Sequence, residues 1–167
     1  MEKIHSRDIR NVCLLGHGAS GKTSLAEAML YLTKATDRLG KPTDGKTGCD
    51  YDPEEVKRGF SLSASIAPVT YKGTKINIID TPGYLDFIGE AVQALRVAGS
   101  ALIVVDGKAG VEVGTELAWD MVCEAKMPRA FFINKCDDPE ARFKRVFGQM
   151  HEMFGQSVCP VIIPVME

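Results

Sequence analysis

Short, dense apolar runs alternate along this chain with stretches whose apolar residues recur every three or four positions, and each kind predicts a different element. Asn11 to Leu15 reads as a buried strand. Thr74 to Asp80 (T-K-I-N-I-I-D) alternates and then turns apolar, as a strand entering a sheet core does. Ser100 to Asp106 (S-A-L-I-V-V-D) and Pro128 to Asn134 (P-R-A-F-F-I-N) are continuous apolar runs, the pattern of parallel strands covered on both faces. Ser65 to Tyr71 is weaker, and Pro68 places it at a sheet edge.

Helices fill the gaps. One is expected over about Lys22 to Thr33. Phe87, Ile88, Ala91, Val92 and Leu95 share a helical face, and so do Leu117, Met121 and Ala125. Phe143, Val146, Phe147, Met150, Met153 and Phe154 make the strongest stripe and read as core. Asp138 is expected at the N-cap of that last helix, Pro139 at its first turn and Gly155 just past its end. Strand–helix alternation with short connections implies an α/β fold, a mainly parallel sheet with helices on both faces. Thr33 to Phe60 breaks the alternation. It holds scattered glycine, proline and charge with little periodicity, and a segment from about 34 to 63 is expected to be mobile.

Composition narrows the class. The 167 residues suit one domain. A net charge of −2 gives no sign of a strongly basic nucleic-acid-binding surface and none of a DNA partner, and leaves room for a local basic patch. No apolar stretch approaches a membrane span, and Met1 to Arg10 is charged and lacks a signal-peptide core. Five scattered cysteines without a C-x-x-C pair read as free thiols of a reducing, cytoplasmic setting.

The chemistry is carried by three motifs. Gly16 to Thr23 spells G-H-G-A-S-G-K-T after the first apolar run, a phosphate-binding P-loop with every fixed position filled. Its backbone, from Gly16, His17, Gly18, Ala19 and Ser20 to Gly21, is expected to turn N–H groups toward an anion, with Ser24 in the first turn of the helix behind it. Lys22 reaches the β- and γ-phosphates, and the Thr23 hydroxyl ligates Mg²⁺. The second motif, Asp80-Thr81-Pro82-Gly83, ends a strand. Asp80 there sits beside Mg²⁺, and Gly83 lets its N–H approach a γ-phosphate. The plain alternative is a strand-ending turn. The third, Asn134-Lys135-Cys136-Asp137, follows another strand. The Asp137 carboxylate matches the N1–H and N2 amine of guanine, a pair that adenine lacks. Asn134 supports the loop, and the Lys135 stem lies along the purine. Taken alone this tetrapeptide is an ordinary charged turn. Three such motifs at three strand ends define a ligand edge.

In this order the motifs resemble those of the GTPase superfamily, and in detail its translational branch, closest to elongation factor G. Arg58 to Ser65 (R-G-F-S-L-S-A-S) resembles that family's R-G-I-T-I-T-S-A effector segment, and I-N-K-C-D resembles I-N-K-M-D. The resemblance implies a Ras-like P-loop NTPase fold, GTP/GDP and Mg²⁺ as ligands, and Thr23, Ser61 and Asp80 as the metal set. It also implies Lys22, Gly83 and Tyr84 at the reacting phosphate, and the ribosome with its RNA as the partner of a full-length protein. Gly18 stands where the family usually has a valine or isoleucine of a hydrophobic gate, and Ala19 where it has an aspartate. Ser61 replaces a threonine and keeps the hydroxyl. Tyr84 stands where the family has its water-orienting histidine. With D-Y-D-P at Asp50 to Pro53, these departures resemble the elongation factor G-like (type-2) paralogues.

The family's last base-contacting motif, S-A-K or S-A-L, is not found after Asp137; Ser100-Ala101-Leu102 precedes it, within a strand. Residues 1–167 are therefore expected to be an N-terminal piece of a GTP-binding domain, monomeric and stopping before its last strand and helix. Two rival readings remain: a nucleotide-switched binding module with negligible hydrolysis, which Tyr84 favours, and an ATP-using enzyme, which N-K-x-D disfavours.

Overall fold

Alternate residues along the strands enter two apolar layers, one on each face of the sheet. A computed structural model describes residues 4–165. Its elements run β1 (Ile9–Leu15), α1 (Lys22–Leu32), α2 (Pro53–Arg58), β2 (Ser65–Tyr71), β3 (Thr74–Asp80), α3 (Ile88–Val97), β4 (Ser100–Asp106), α4 (Val113–Glu124), β5 (Arg129–Asn134) and α5 (Phe143–Phe154). The five strands form one sheet in the order β2-β3-β1-β4-β5. All pairings are parallel except the β2–β3 hairpin, so Pro68 does lie in an edge strand.

Along β1, Cys13 and Leu15 enter the larger core with Ile79, Ile103, Val105, Ala118, Val122, Val146 and Met150. Leu14, between them, joins Ala26, Leu30, Val69 and Ile78 on the opposite face. Helices α3, α4 and α5 thus pack one face and α1 the other. Each fully buried Leu, Ile or Val here contributes about 1.5–3 kcal/mol of transfer free energy, enough to fix the register that aligns the strand ends.

Several sequence expectations change. Asp138 and Pro139 do not open α5, which begins at Phe143 with Arg142 flanking it. The Asp138 carboxylate instead accepts the Glu140 N–H at 2.8 Å and its carbonyl the Ala141 N–H at 2.9 Å, because Asp-Pro is at least as good a turn as a cap. Of the α5 stripe, Val146 and Met150 are buried, while Met153 is exposed. In α3 the buried positions are Ala91 and Ala94, with Val92 exposed. In α4 they are Gly114, Thr115, Ala118 and Val122, so that face is turned one residue from the expected one, and Ala125 is exposed. Strand β5 is an edge strand and not covered on both faces: Phe131 stacks with Trp119 and Phe154, whereas Phe132 is exposed. Within the segment expected to lack periodic structure, α2 forms. Asp52 and Glu55 make its capping box, and Gly59 (φ 72°) ends it.

Candidate functional site

Parallel pairing brings the carboxyl ends of β1, β3, β4 and β5 to one edge, and the loops leaving them meet there. After Leu15 the chain winds through Gly16 (φ 133°), Ala19 (φ 61°) and Gly21 (φ 95°) into α1. Such left-handed steps turn successive N–H groups into a concave anion nest. No side chain fits at two of these points. A Cβ on Gly16 would lie 2.3 Å from the Val104 carbonyl oxygen, and one on Gly21 would lie 2.2 Å from Asn134 Nδ2.

Lys22 lies beneath the nest, buried, and donates to the Gly16 and His17 carbonyls at 3.0 and 2.8 Å. Burial lowers its ammonium to about 8, with Asp80 opposing the shift. The β3 loop closes over it. Thr81 donates to the Leu14 carbonyl at 2.6 Å, and Gly83 sits so close that a Cβ would be 2.3 Å from Lys22 Nζ and 2.7 Å from Gly18 N. Tyr84 follows, 43% exposed, its ring against Gly18 and Phe60.

Beside the nest, two hydroxyls and two carboxylates interlock. Thr23 Oγ1 donates to Asp80 Oδ2 at 2.6 Å, and Ser61 Oγ donates to Asp50 Oδ1 at 2.6 Å. The two hydroxyl oxygens are 3.3 Å apart. Each spends its only proton on a carboxylate, so lone pairs remain for another ligand. Asp80 Oδ1 is buried without a partner. Burial lifts Asp80 to about 6, against the Thr23 hydrogen bond and the Lys22 charge. The segment carrying Ser61 is seated by other carboxylates. Glu27 accepts the Gly48 N–H at 2.6 Å, Glu55 the Leu62 and Ser63 N–H groups at 2.8 and 3.0 Å, and Glu90 the Ala64 N–H at 2.7 Å.

On the far flank Asn134 Nδ2 donates to the Ser20 carbonyl at 3.0 Å. Lys135 (φ 57°) donates to the Ala19 carbonyl at 2.8 Å and to Asp106 Oδ2 at 2.7 Å. Burial pushes Asp106 up, but the Lys135 hydrogen bond and the N–H groups of Lys108 and Ala109 outweigh it, leaving the carboxyl below its ordinary range. Asp137 is exposed, and its carboxylate takes no hydrogen bond among the described residues.

The fold thus gathers Gly16, Gly18, Ala19, Ser20, Gly21, Lys22, Thr23, Ser61, Asp80, Gly83 and Tyr84 around the nest, with Asn134 and Lys135 bracing its side. His17 contributes backbone only. Its ring is engaged by α4, accepting the Gly114 N–H at 3.3 Å and lying 3.5 Å from Glu112. Ser24 is exposed on the first turn of α1. The sequence reading missed Asp50, Phe60 and Asp106 as site residues. Asp106 ends an apolar strand just as Asp80 does, so its signal was present; Asp50 and Phe60 fall inside the D-Y-D-P and R-G-F-S stretches that carry the family resemblance, but the aperiodic sequence there gives neither side chain a role.

Residues 7–165 match the model of the elongation factor Tu GTP binding domain. An elongation factor G-like protein of Mycobacterium tuberculosis is 38% identical over 156 residues, covering 93% of this chain and 22% of that protein. One from Thermotoga maritima is 37% identical over 159 residues, covering 95% and 22%. A crystal structure of a Thermus thermophilus protein superposes with a TM-score of 0.91 at 37% identity, over 95% of this chain and 24% of that one. The chain therefore spans about a fifth of the length of its curated relatives. With the P-loop, D-T-P-G and N-K-x-D loops gathered at one edge of a mostly parallel sheet, this chain belongs to the elongation factor Tu GTP-binding domain family.

Proposed function

We propose that this chain is the nucleotide-binding part of an elongation factor G-like protein that binds GTP with Mg²⁺ and hydrolyses it when the ribosome stimulates it, in the cytoplasm and as a monomer. The observation that carries the reading is the Thr23–Ser61–Asp80 cluster standing directly beside the P-loop nest. Two hydroxyls and one carboxylate are the sparse protein contribution that Mg²⁺ accepts when phosphates complete its shell. The orphaned Asp80 Oδ1 gives such a cation, or a water on it, an unpaired acceptor. When bound, the ion neutralises charge on the β- and γ-phosphates.

The remaining work falls to the chain. The nest amides and Lys22 hold the phosphates, and α1 adds its positive end. Asp137 selects guanine with an unencumbered carboxylate, while Asn134 and Lys135 tie that loop to the P-loop. Gly83 brings its N–H to the γ-phosphate. Tyr84 borders the side from which water attacks phosphorus, the bond to the leaving GDP breaking as the new P–O bond forms. Catalysis of this kind is mostly positioning and charge stabilisation.

Calorimetry tests the binding reading: GTP and GDP should bind, ATP should bind at least a hundredfold more weakly, and Lys22→Ala should abolish phosphate affinity while the circular dichroism spectrum stays unchanged. Equal ATP and GTP affinities would refute guanine selection. A second reading, a nucleotide-switched ribosome-binding module without turnover, is favoured by Tyr84 in place of an imidazole. Single-turnover hydrolysis by the full-length protein, with and without ribosomes, separates the two.

A further inference from the structure

Glu27 lies one turn along α1 from Thr23, on the same helical face, and is only 2% exposed. A carboxylate buried so deeply is ordinarily paired with a cation. No ion pair reaches Glu27 among the described residues. Its one hydrogen bond there comes from backbone, the Gly48 N–H donating to Oε1 at 2.6 Å. The other oxygen faces bare backbone. A Cβ built on Gly40 would fall 2.3 Å from Glu27 Oε2 and 2.9 Å from the Lys46 carbonyl oxygen. Residues 40–48 therefore wrap closely around the carboxylate, and the nearby Lys46 carbonyl is an acceptor like Oε2 itself.

Two further carboxylates crowd the same place. Cys49 follows Gly48 and is buried in the smaller core. Its thiol is pushed up to about 12, by burial first and then by the charges of Asp80, Glu27 and Asp50, against a hydrogen bond with Ser65. Glu27 and Asp50 also act on Asp80 with like charge. Among the described residues the buried carboxylates are Glu27, Asp50, Glu55 and Asp80, against Lys22 as the one buried cation. Such a cluster repels itself out of water. The segment that closes over it has little else to hold it. Within residues 39–50, Cys49 is the one apolar side chain that is buried, and Leu39, Lys41, Asp44 and Lys46 are exposed.

We propose that Glu27 is a positioning residue of the cation site: its hydrogen bond to Gly48 docks residues 40–50 on α1, and its unpaired charge makes that docking depend on a bound divalent cation. This role rests on the Mg²⁺ reading given above. Without a cation, docking gathers Glu27, Asp50 and Asp80 out of water, so the segment opens and hydrates them. With a divalent ion at Thr23, Ser61 and Asp80 the repulsion is offset and the segment closes. Asp50, which accepts from Ser61 Oγ at 2.6 Å, then brings Ser61 into place. The hydrogen bond and the charge of one side chain act in opposite directions, and an amide separates them.

The test is alkylation of Cys49 by iodoacetamide in the full-length protein, read by peptide mass spectrometry, together with hydrogen exchange at the Gly48 amide. Docking buries the thiol and bonds the amide, so both rates report opening. Cys13, fully buried in β1, reports global unfolding in the same sample, and the Cys49 rate is read over it. Glu27→Gln keeps an oxygen for the Gly48 N–H and removes the charge. In GDP and chelator, Cys49 and Gly48 of this variant should react about tenfold more slowly than in wild type. Saturating Mg²⁺ should slow wild type at least about tenfold and Glu27→Gln less than about threefold. Glu27→Ala loses the hydrogen bond as well and should react faster than wild type in Mg²⁺. A side chain that only held the fold together would give wild-type rates or faster ones in Glu27→Gln. Such rates in chelator, or an equal Mg²⁺ effect in the two proteins, would overturn the role of Glu27 and leave the Mg²⁺ reading in place. Calorimetry of GDP with and without Mg²⁺ in wild type reads the metal separately: no tightening by Mg²⁺ would end that reading and the role of Glu27 with it.

Discussion

Replacing Asp80 by asparagine removes a buried negative charge and keeps the shape of the side chain and the oxygen that accepts the Thr23 hydroxyl proton. Burial lifts the folded-state pKa of Asp80 from 3.8 to about 6, net of the opposing Thr23 hydrogen bond and Lys22 charge. At about 1.4 kcal/mol per unit, ionising this group in the folded protein costs about 3 kcal/mol more than in the unfolded chain. Because the folded pKa is the higher one, the folded state binds the proton more tightly. Stability therefore falls as pH rises from about 4 to 6, and the full cost is present above pH 6. Asparagine carries no such cost. With no metal or nucleotide present at pH 7, Asp80→Asn should be the more stable protein by about 1–3 kcal/mol, some 3–10 °C in Tm for a domain of this size. The gap should close toward pH 4. Saturating Mg²⁺ and GDP should reverse the order, because the variant forfeits its acceptor for the cation. Urea unfolding in chelator from pH 4 to 8, repeated with ligand, measures all three. A variant less stable than wild type at pH 7 without ligand, or a gap independent of pH, would refute the reasoning.

Gly83→Ala should lower GDP and GTP affinity about tenfold or more, since its Cβ would fall 2.3 Å from Lys22 Nζ and 2.7 Å from the His17 carbonyl; unchanged affinity by calorimetry would show that the loop gives way freely. Asp137→Asn leaves one acceptor oxygen where guanine offers two donors, so the ratio of XDP to GDP affinity should rise by roughly a hundredfold, and a constant ratio would remove the residue from base recognition. In hydrogen exchange, the amides of Gly48, Leu62 and Ser63, held by Glu27 and Glu55, should exchange faster than those of β1 without nucleotide and slow at least about tenfold with Mg²⁺ and GTP. Uniform strong protection of residues 34–63 in the nucleotide-free protein would contradict that mobility.

What was legible in the sequence follows from how each feature is encoded. Strand β4 and the end of β3 are buried on both faces, and continuous apolar runs announce that directly. The P-loop was legible because Gly16 and Gly21 must be glycine for steric reasons that any sequence must obey. Helix faces were less legible. In α3 the buried positions are Ala91 and Ala94, and in α4 Gly114, Thr115 and Ala118 are buried beside Val122; most are small residues that allow close approach to the sheet, and a reading weighted by large apolar side chains shifts the face toward Val92 and Met121. Asp50 was harder still. Its role depends on Ser61, eleven residues away across α2, and on a turn closed by Thr47. No local period records such a contact. The same holds for Phe60 and Tyr84, joined by tertiary packing alone.

The electrostatics of the site explain why these residues are kept in an arrangement that a stable core would reject. Lys22 is buried with its pKa lowered to about 8, and Asp80 with its pKa raised to about 6. Each is shifted against its charged form, although the two attract each other. Asp50 and Glu27 add like charge to Asp80. Desolvation therefore exceeds pairing on both sides, so an anion beside the lysine and a cation beside the carboxylate would each offset part of that cost. On the proposed function, a nucleotide carrying phosphates and Mg²⁺ would deliver both at once, the phosphates to the nest above Lys22 and the ion to the hydroxyls beside Asp80. Either component alone relieves one half of the strain. Binding of the two should accordingly be cooperative, with Mg²⁺ tightening GDP far more in wild type than in Asp80→Asn. Calorimetric titration of GDP at zero and saturating Mg²⁺ measures that coupling, and an equal Mg²⁺ effect in both proteins would place the cation's protein contacts elsewhere.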